Sequence, residues 1–416
     1  RLKKIILPRS LPKKRYIKSA LRPKEWRVFN LHNSPFSEDN KITFLNLSKQ
    51  LSLPIDWKFE SYGKLWLYNL HYFDYLSTKN RLSYSQKIKL IENWIQNNKN
   101  PNETGWDPYP TSLRVVNLIK FWLSGIDYSN DIHRSIQQQS AFLYKNLELD
   151  LLGNHFFANL KALLFSSVVY EEIHLRKFAI EQLTKQIDEQ ILDDGAHFEL
   201  SPMYHRIILA DMLDIYNLVL SAKDLFKKQF INLIKEKIVL MVHFMKMMRH
   251  NDDEIPFFND SAFSIAPEYE KLISYCKELE IPIPSDCSKL NSIKHMKESG
   301  FIVSKNENIK IIFDVGDVGA TYIPGHGHAD ALSFEMSYQN QRIFVNSGTS
   351  TYEKNYLRNL QRKTLSHNTV EIDSNDSSQV WDSFRVGNRS KILDSGFREY
   401  KNKFELYGMH DGFSSF

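Results

Sequence analysis

The stretch GHGHADALSF at residues 325–334 contains two histidines two positions apart, and an aspartate follows two positions after the second. Imidazole can transfer protons near neutral pH and can also ligate a metal ion. Glycines on both sides of His326 would allow the backbone to come close to a bound molecule. We therefore expect two tasks: one histidine faces a cleft, and the other contributes to a metal site inside its own domain.

A second group of titratable side chains lies in DDGAHFELSPMYHR at residues 193–206. A solvated loop would explain the charges of this segment. It would not explain why Glu199, Tyr204 and His205 gather where a serine–proline pair opens an apolar helix. We therefore predict that this segment contributes to an active site.

Three shorter segments add candidates elsewhere in the chain. GNHFFAN places Asn154 at a predicted helix start, where asparagine can act as a cap, and His155 beside it, which capping does not need. WDPYPTSLR contains Tyr109 and Arg114, and IPFFNDSAF contains Asp260 in a predicted turn between domains. These side chains are candidates for binding a substrate or for moving a proton.

The elements that must position these residues fall into two classes. From about residue 65 to residue 280, apolar residues recur with the helical period and without a repeat of fixed length, which predicts helices in series forming a barrel or superhelix. After about residue 282, alternating segments, among them SHNTVEIDS, predict antiparallel strands. We therefore predict a basic lead-in at residues 1–64, a helical domain at residues 65–281 and an antiparallel β domain at residues 282–416. We expect the β domain to be incomplete at its C-terminal end.

Composition narrows the classes of function. The chain has 416 residues, with 54 Lys and Arg against 49 Asp and Glu, and its net charge of +5 suits a polyanionic partner. The N-terminal segment is strongly basic, but no nucleic-acid recognition motif accompanies that charge. No apolar run has the length of a membrane span, and Cys276 and Cys287 are expected to be free thiols rather than a disulfide framework.

Six segments together resemble the heparinase II/III-like polysaccharide lyases: LWLYNLHYFDYL, WDPYPTSLR, GNHFFANLKAL, DGAHFELSPMYH, GHGHADALSFEM and SHNTVEID. The resemblance extends from about residue 65 to residue 416 and agrees with the helix and strand patterns. It implies an (α/α) toroid, which is an incomplete helical barrel, followed by an antiparallel β-sandwich. It also implies β-elimination on a uronate-containing acidic polysaccharide, by a bacterial protein that is periplasmic or secreted.

The resemblance implies roles for four catalytic residues. Asn154, with His155 beside it, would neutralise the uronate carboxylate of the substrate, which makes the C5 proton easier to remove. Tyr204 would be the catalytic tyrosine, and His326 would be its partner acid or base. If the C5 proton and the leaving oxygen lie on the same side of the sugar, Tyr204 could serve both. If they lie on opposite sides, His326 would be the base and Tyr204 the acid, and the sequence leaves both routes open.

The resemblance also implies a structural divalent metal, zinc or calcium, held by His328, His367 and the residue at position 346. Members of the family commonly have aspartate at that position, whereas this chain has Asn346. An amide oxygen can ligate a metal but brings no charge, so the departure concerns the metal more than the chemistry.

Six side chains are predicted to contact the substrate: Tyr109, Arg114, Glu199, His205, Asp260 and Arg362. Two other functions remain open for such a chain. A uronate C5-epimerase would remove the same proton without cleaving the polymer. A glycan-binding or biosynthesis-associated protein would bind the polymer without turnover, and Asn346 favours this last alternative.

Overall fold

The structure, a computed structural model, describes residues 9–12, 20–36, 41–50, 55–78, 82–285, 292–401 and 403–414. Residues 1–8 and 13–19 of the predicted lead-in lie outside the described residues, as does Cys287, and Cys276 is a buried free thiol. The chain forms two compact units: the first comprises Arg1–Lys185 and Asp214–Ile231, and the second comprises Gln186–Leu213 and Asn232–Phe416. Part of the segment predicted as a helical domain therefore groups with the strands.

The first unit begins with a hairpin and continues with helices. The hairpin pairs β1 (Lys41–Phe44) with β2 (Leu47–Gln50), and the helices are α1 (Lys64–Tyr72), α2 (Tyr84–Asn97), α3 (Pro108–Leu123), α4 (Asn130–Lys145), α5 (Gly153–Val169) and α6 (Ile173–Gln190), whose last residues belong to the second unit. α3 packs against α1, α4 and α5. Nearly every side chain of α5 is buried, and most of them are apolar, as expected for a helix enclosed by other elements. Neither α5 nor any other helix within the described residues is long and apolar enough to cross a membrane.

The second unit combines helices with antiparallel strands. Its helices are α7 (Pro202–Ser221) and α8 (Lys228–Met248), each with one end in the first unit, and then α9 (Tyr269–Glu278) and α10 (Tyr356–Arg362). One antiparallel sheet contains, in chain order, β3 (Ser292–Met296), β4 (Phe301–Lys305), β5 (Ile309–Asp314), β6 (Phe334–Tyr338) and β7 (Gln341–Phe344). Two hairpins follow, one of β8 (Gln379–Trp381) with β9 (Arg385–Gly387) and one of β10 (Ile392–Glu399) with β11 (Phe404–His410).

The core of the second unit forms between α8 and the sheet. Phe244 and Met248 of α8 belong to one apolar cluster with Phe301 of β4 and Ile312 of β5. Burial alternates along β5, as the sequence pattern predicts for a strand with one face in the core.

One strand prediction is wrong. SHNTVEIDS forms an irregular loop in which the described pairing is a single bridge between Ile372 and Asn375. The Asn368 N–H in this loop donates to the Asn346 side-chain oxygen at 3.0 Å instead of to a strand. In addition, the Thr369 hydroxyl donates to the Ala331 carbonyl at 2.7 Å. Local side-chain bonds of this kind compete with a strand ladder.

Candidate active site

Tyr204 and His326 lie side by side in the second unit. Their rings are 4.1 Å apart between centroids, with 33° between the ring planes. Both side chains keep a little exposure, 8% for Tyr204 and 15% for the His326 side chain. A phenol and an imidazole in contact at an accessible point can exchange protons with the same bound molecule.

Local sequence explains where these two side chains stand. The Ser201 hydroxyl accepts from the Tyr204 N–H at 3.2 Å and caps α7, with Pro202 as the first helical residue. Tyr204 therefore lies in the first turn of the helix. His326 ends the short 3₁₀ turn Pro324–His326, and a Cβ on Gly327 would lie only 3.1 Å from Val318 Cγ1. That glycine therefore serves close packing within the protein.

Asp260 is the centre of a hydrogen-bond network around this turn. Its Oδ2 accepts from His326 Nδ1 at 2.8 Å, and its Oδ1 accepts from His328 Nε2 at 2.9 Å. Arg358 donates to both oxygens, and the Thr349 hydroxyl donates to Oδ1 at 2.8 Å. The two histidines of the GHGH segment therefore meet one carboxylate.

Asp260 corrects one prediction, since its expected contact with substrate is not possible in this arrangement. The residue is fully buried, and both carboxylate oxygens are occupied by protein donors. Burial would raise the pKa of Asp260, but hydrogen bonds from His326 and His328 and the charge of Arg358 hold this pKa well below its ordinary value. Asp260 is therefore an ionised internal acceptor.

Glu199 lies on the other side of the His326 ring. Its Oε2 is 3.8 Å from His326 Nε2, and the residue is buried. A sugar that approached His326 Nε2 would also approach this carboxylate, so the predicted substrate contact of Glu199 stays a prediction.

Two further predicted contacts of the second unit, those of His205 and Arg362, are corrected because their polar groups bond to carbonyls inside the protein. His205 bonds through Nε2 to the Met241 carbonyl at 3.0 Å, and burial lowers its pKa to about 4. Arg362 is fully buried and donates to the carbonyls of Gly327, Asp382 and Arg385. Arg362 thus holds the loop that follows His326.

In the first unit, His155 is oriented by Glu148. His155 Nδ1 lies 3.0 Å from Glu148 Oε1, and Asn159 donates to Glu148 Oε2 at 3.0 Å. The Tyr109 ring stacks on His155 with 4.4 Å between centroids, and Asn154 is buried at the start of α5. The predicted meeting of Asn154 with Tyr204 and His326 involves both units and stays a prediction.

Arg114 of the first unit is a further correction. It is fully buried and donates to Gln139 Oε1 at 2.7 Å and to the His71 carbonyl at 3.1 Å. Its guanidinium lies over the Trp94 ring at 3.9 Å, and burial lowers its pKa to about 9. Arg114 therefore holds α1, α2, α3 and α4 together rather than a sugar.

The predicted metal residues offer two imidazoles and one amide. The rings of His328 and His367 are 5.2 Å apart, and His328 Nδ1 is buried without a hydrogen-bond partner. Burial lowers the pKa of both histidines, and a neutral imidazole is the form that binds a metal. Asn346 donates to Ser333 Oγ at 3.4 Å. The two histidines fit a metal, although no group of three or more His, Cys, Asp or Glu suited to a metal occurs among the described residues.

Sequence reasoning missed Tyr352 and Glu148. The hydroxyls of Tyr352 and Tyr204 are 3.0 Å apart, and burial raises the pKa of Tyr352. The two tyrosines are 148 positions apart in the chain, so no local pattern could connect them. Glu148 is only seven positions before His155. An acidic residue so close in sequence to a candidate histidine could have predicted this pair.

Two family models match the chain, the Heparinase II/III N-terminus over residues 13–278 and the Heparinase II/III-like C-terminal model over residues 288–416. A heparin-sulfate lyase of Bacteroides thetaiotaomicron is 23% identical over 68% of this chain and 47% of that protein. A heparin-sulfate lyase of Pedobacter heparinus is 25% identical over 82% of this chain and 53% of that protein. The chain spans about half the length of these relatives.

Solved structures give the same fold. A crystal structure of heparinase III superimposes with a TM-score of 0.62 at 18% identity, over 88% of this chain and 63% of that chain. A mutant of heparan sulfate lyase from Pedobacter heparinus superimposes with a TM-score of 0.57 at 16% identity, over 90% of this chain and 63% of that chain. The predicted fold class, an (α/α) toroid followed by an antiparallel β-sandwich, is confirmed.

Proposed function

The chain belongs to the heparinase II/III family, and from this we propose that it is a polysaccharide lyase that cleaves a uronate-containing acidic polysaccharide by β-elimination. The observation that carries the proposal is the contact between the Tyr204 phenol and the His326 imidazole, with 4.1 Å between ring centroids. Elimination needs a base for the C5 proton and an acid for the leaving oxygen, and these two groups can supply both.

Which residue acts as the base and which as the acid depends on the stereochemistry of the substrate. For a sugar with the C5 proton and the leaving oxygen on the same face, Tyr204 removes the proton and returns it to the oxygen. For the opposite arrangement, His326 takes the proton through Nε2 and Tyr204 protonates the oxygen. Tyr352, with its hydroxyl 3.0 Å from that of Tyr204, can donate a hydrogen bond to the tyrosinate form and so stabilise it.

We also propose that Asn154 and His155 stabilise the negative charge that develops on the uronate carboxylate. In other enzymes, hydrogen-bond donors that the protein holds in place before the reaction stabilise the transition state by about 3 kcal/mol each. Support comes from the position of His155, whose Nδ1 bonds to Glu148, because the Nε2–H of the protonated ring can then donate to the uronate carboxylate.

A screen of acidic polysaccharides tests the proposal, beginning with heparan sulfate because the relatives are named heparin-sulfate lyases. We expect new far-ultraviolet absorbance from unsaturated uronate ends with the wild-type protein and none with Tyr204→Phe or His326→Ala. Equal activity in all three proteins would remove the assignment of these residues. Deuterium uptake at C5 without cleavage would instead indicate an epimerase, and binding without either reaction would indicate a non-catalytic protein.

We propose that His328, His367 and Asn346 hold a structural divalent ion, with zinc favoured over calcium because two ligands are imidazoles. When bound, the ion would contribute structural stability and no chemical step. Elemental analysis of the purified protein should find metal that is lost in His367→Ala and bound more tightly in Asn346→Asp, which adds a charge. Equal metal content in wild type and His367→Ala would contradict the site.

The proposed substrate also suggests a location. Acidic polysaccharides of this kind are extracellular polymers, so we propose that the protein acts in the periplasm or outside a bacterial cell. Fractionation of the source cells with an antibody against the chain tests this, and recovery from the cytoplasm alone would contradict it.

A further inference from the structure

The Asp260 carboxylate contacts the rings of both His326 and His328. Arg358 binds both of its oxygens, as a guanidinium binds an ionised carboxylate. An ionised carboxylate can only accept hydrogen bonds. Each histidine nitrogen that faces Asp260 must therefore be the nitrogen that carries a proton.

The two histidines face Asp260 through different nitrogens. His326 uses Nδ1 at 2.8 Å, and His328 uses Nε2 at 2.9 Å. In a neutral imidazole only one nitrogen carries a proton, and the other keeps a lone pair. The lone pair of His326 is then on Nε2, and that of His328 is on Nδ1, which is buried without a hydrogen-bond partner.

The backbone of Asp260 also connects the two catalytic side chains. Its N–H donates to the His326 carbonyl at 3.1 Å. Its carbonyl accepts from the Ser201 hydroxyl at 2.6 Å, and this is the hydroxyl that caps the helix of Tyr204. A substitution of Asp260 would therefore alter the positions of both Tyr204 and His326.

We propose that Asp260 is the positioning residue of the active site and that it fixes His326 and His328 as opposite tautomers. His326 carries its proton on Nδ1 and presents the basic Nε2 to the substrate. His328 carries its proton on Nε2 and keeps its lone pair on the buried Nδ1. The part of this inference that concerns catalysis rests on the proposed lyase function, whereas the part that concerns the tautomers does not.

Nuclear magnetic resonance of the protein labelled with ¹⁵N-histidine tests the tautomers directly. Spectra are recorded at a pH where imidazole is neutral and in the presence of a chelator, with assignments from His326→Gln and His328→Gln. We expect a protonated Nδ1 for His326 and a protonated Nε2 for His328. A protonated Nε2 on His326, or the same tautomer on both residues, would overturn the proposal. The wild-type spectrum decides this point even if no polysaccharide is cleaved.

A matched pair of variants tests the consequence for catalysis. Asp260→Asn keeps the shape of the side chain but allows an amide N–H to face His326, which favours the wrong tautomer. We expect kcat to fall about 100-fold or more while KM changes little, because an orienting partner acts on the reacting state. Its spectrum should show mixed tautomers for His326.

Asp252→Asn is the control. Asp252 also binds an arginine through both oxygens, Arg342 at 2.8 and 3.1 Å, but it has no hydrogen bond to a histidine ring. We expect kcat within about twofold of the wild type, as for other partly exposed ion pairs. If Asp260→Asn folds and loses no more activity than Asp252→Asn, Asp260 does not position His326 for catalysis. If Asp260→Asn does not fold, the wild-type spectrum alone supports or overturns the proposal.

Discussion

Each of the two units contains a histidine that contacts a carboxylate and a tyrosine, but the two carboxylates differ in burial and in their other partners. In the first unit His155 bonds to Glu148 and stacks on Tyr109, with 4.4 Å between ring centroids. In the second unit His326 bonds to Asp260 and stacks on Tyr204, with 4.1 Å between centroids. The angle between the ring planes is 33° in both pairs. A histidine, a tyrosine and a carboxylate therefore occur together twice, with similar geometry between the two rings.

The carboxylates differ in their other partners. Asp260 has no exposed surface and binds a guanidinium, a second histidine and a hydroxyl. Glu148 is 11% exposed, and its Oε2 accepts from the neutral amide of Asn159. A charged and buried network holds a ring more firmly than a neutral and partly exposed one. We therefore expect the ring of His326 to be held in one orientation more strictly than the ring of His155.

The largest effect on kcat is expected at Tyr204, and a much smaller one at Tyr109. Tyr204→Phe should lower kcat about 1,000-fold, because it removes the hydroxyl that we propose transfers the proton. Tyr109→Phe keeps the stacked ring and should lower kcat less than about threefold. Initial rates of unsaturated-uronate formation measure both, with circular dichroism to check folding. Similar losses in the two variants would mean that the first unit, too, supplies a proton donor.

The second prediction concerns the charge that holds Asp260. Arg358→Met should lower the free energy of unfolding by about 3 kcal/mol, because it leaves a buried carboxylate without its cation. Urea unfolding measures the change. The surface pair of Arg134 with Asp131 in α4 is the control, and Arg134→Met should cost less than about 1 kcal/mol. Equal costs would show that Asp260 does not depend on its ion pair.

The third prediction uses a buried neutral histidine in each unit. Burial lowers the pKa of His71 in the first unit to about 3 and that of His205 in the second unit to about 4, from an ordinary value of 6.5. The unfolded chain therefore binds a proton below pH 6.5 that the folded chain resists, so stability is complete above 6.5 and falls as the pH decreases. At pH 4 the loss from His205 alone is about 3 kcal/mol.

Urea unfolding at pH 7 and pH 4 measures this loss. His205→Gln removes the titrating group, so the difference in stability between the two pH values should shrink by about 3 kcal/mol. An unchanged difference would show that His205 is accessible to protons in the folded protein.

The smallest effect is expected at Glu148. Glu148→Gln keeps a hydrogen-bond acceptor for His155 and should lower kcat/KM about tenfold, mainly through KM. Steady-state kinetics on the same substrate measure it beside Asp260→Asn. A loss at Glu148 as large as that at Asp260 would contradict the difference in rigidity between the two carboxylates.

Much of the fold was predictable because helices and strands follow local periodicity. The alternation in β5 and the serine–proline start of α7 were sufficient for these elements and for the place of Tyr204 in a first helical turn. The loop around His367 was predicted wrongly as a strand, because its alternation is real but its backbone bonds go to Asn346 and neighbouring loops.

The sequence by itself determined which residues are candidates for chemistry, since the identity of a histidine or tyrosine and the period around it are local properties. Only the tertiary structure decided which of them face a possible substrate. Arg114, His205 and Arg362 are charged or titratable, yet folding turns them inward onto carbonyls and amides. It also brings Asp260 to His326 across 66 positions of chain. Burial and long-range pairing are results of packing, and no short stretch of sequence contains them.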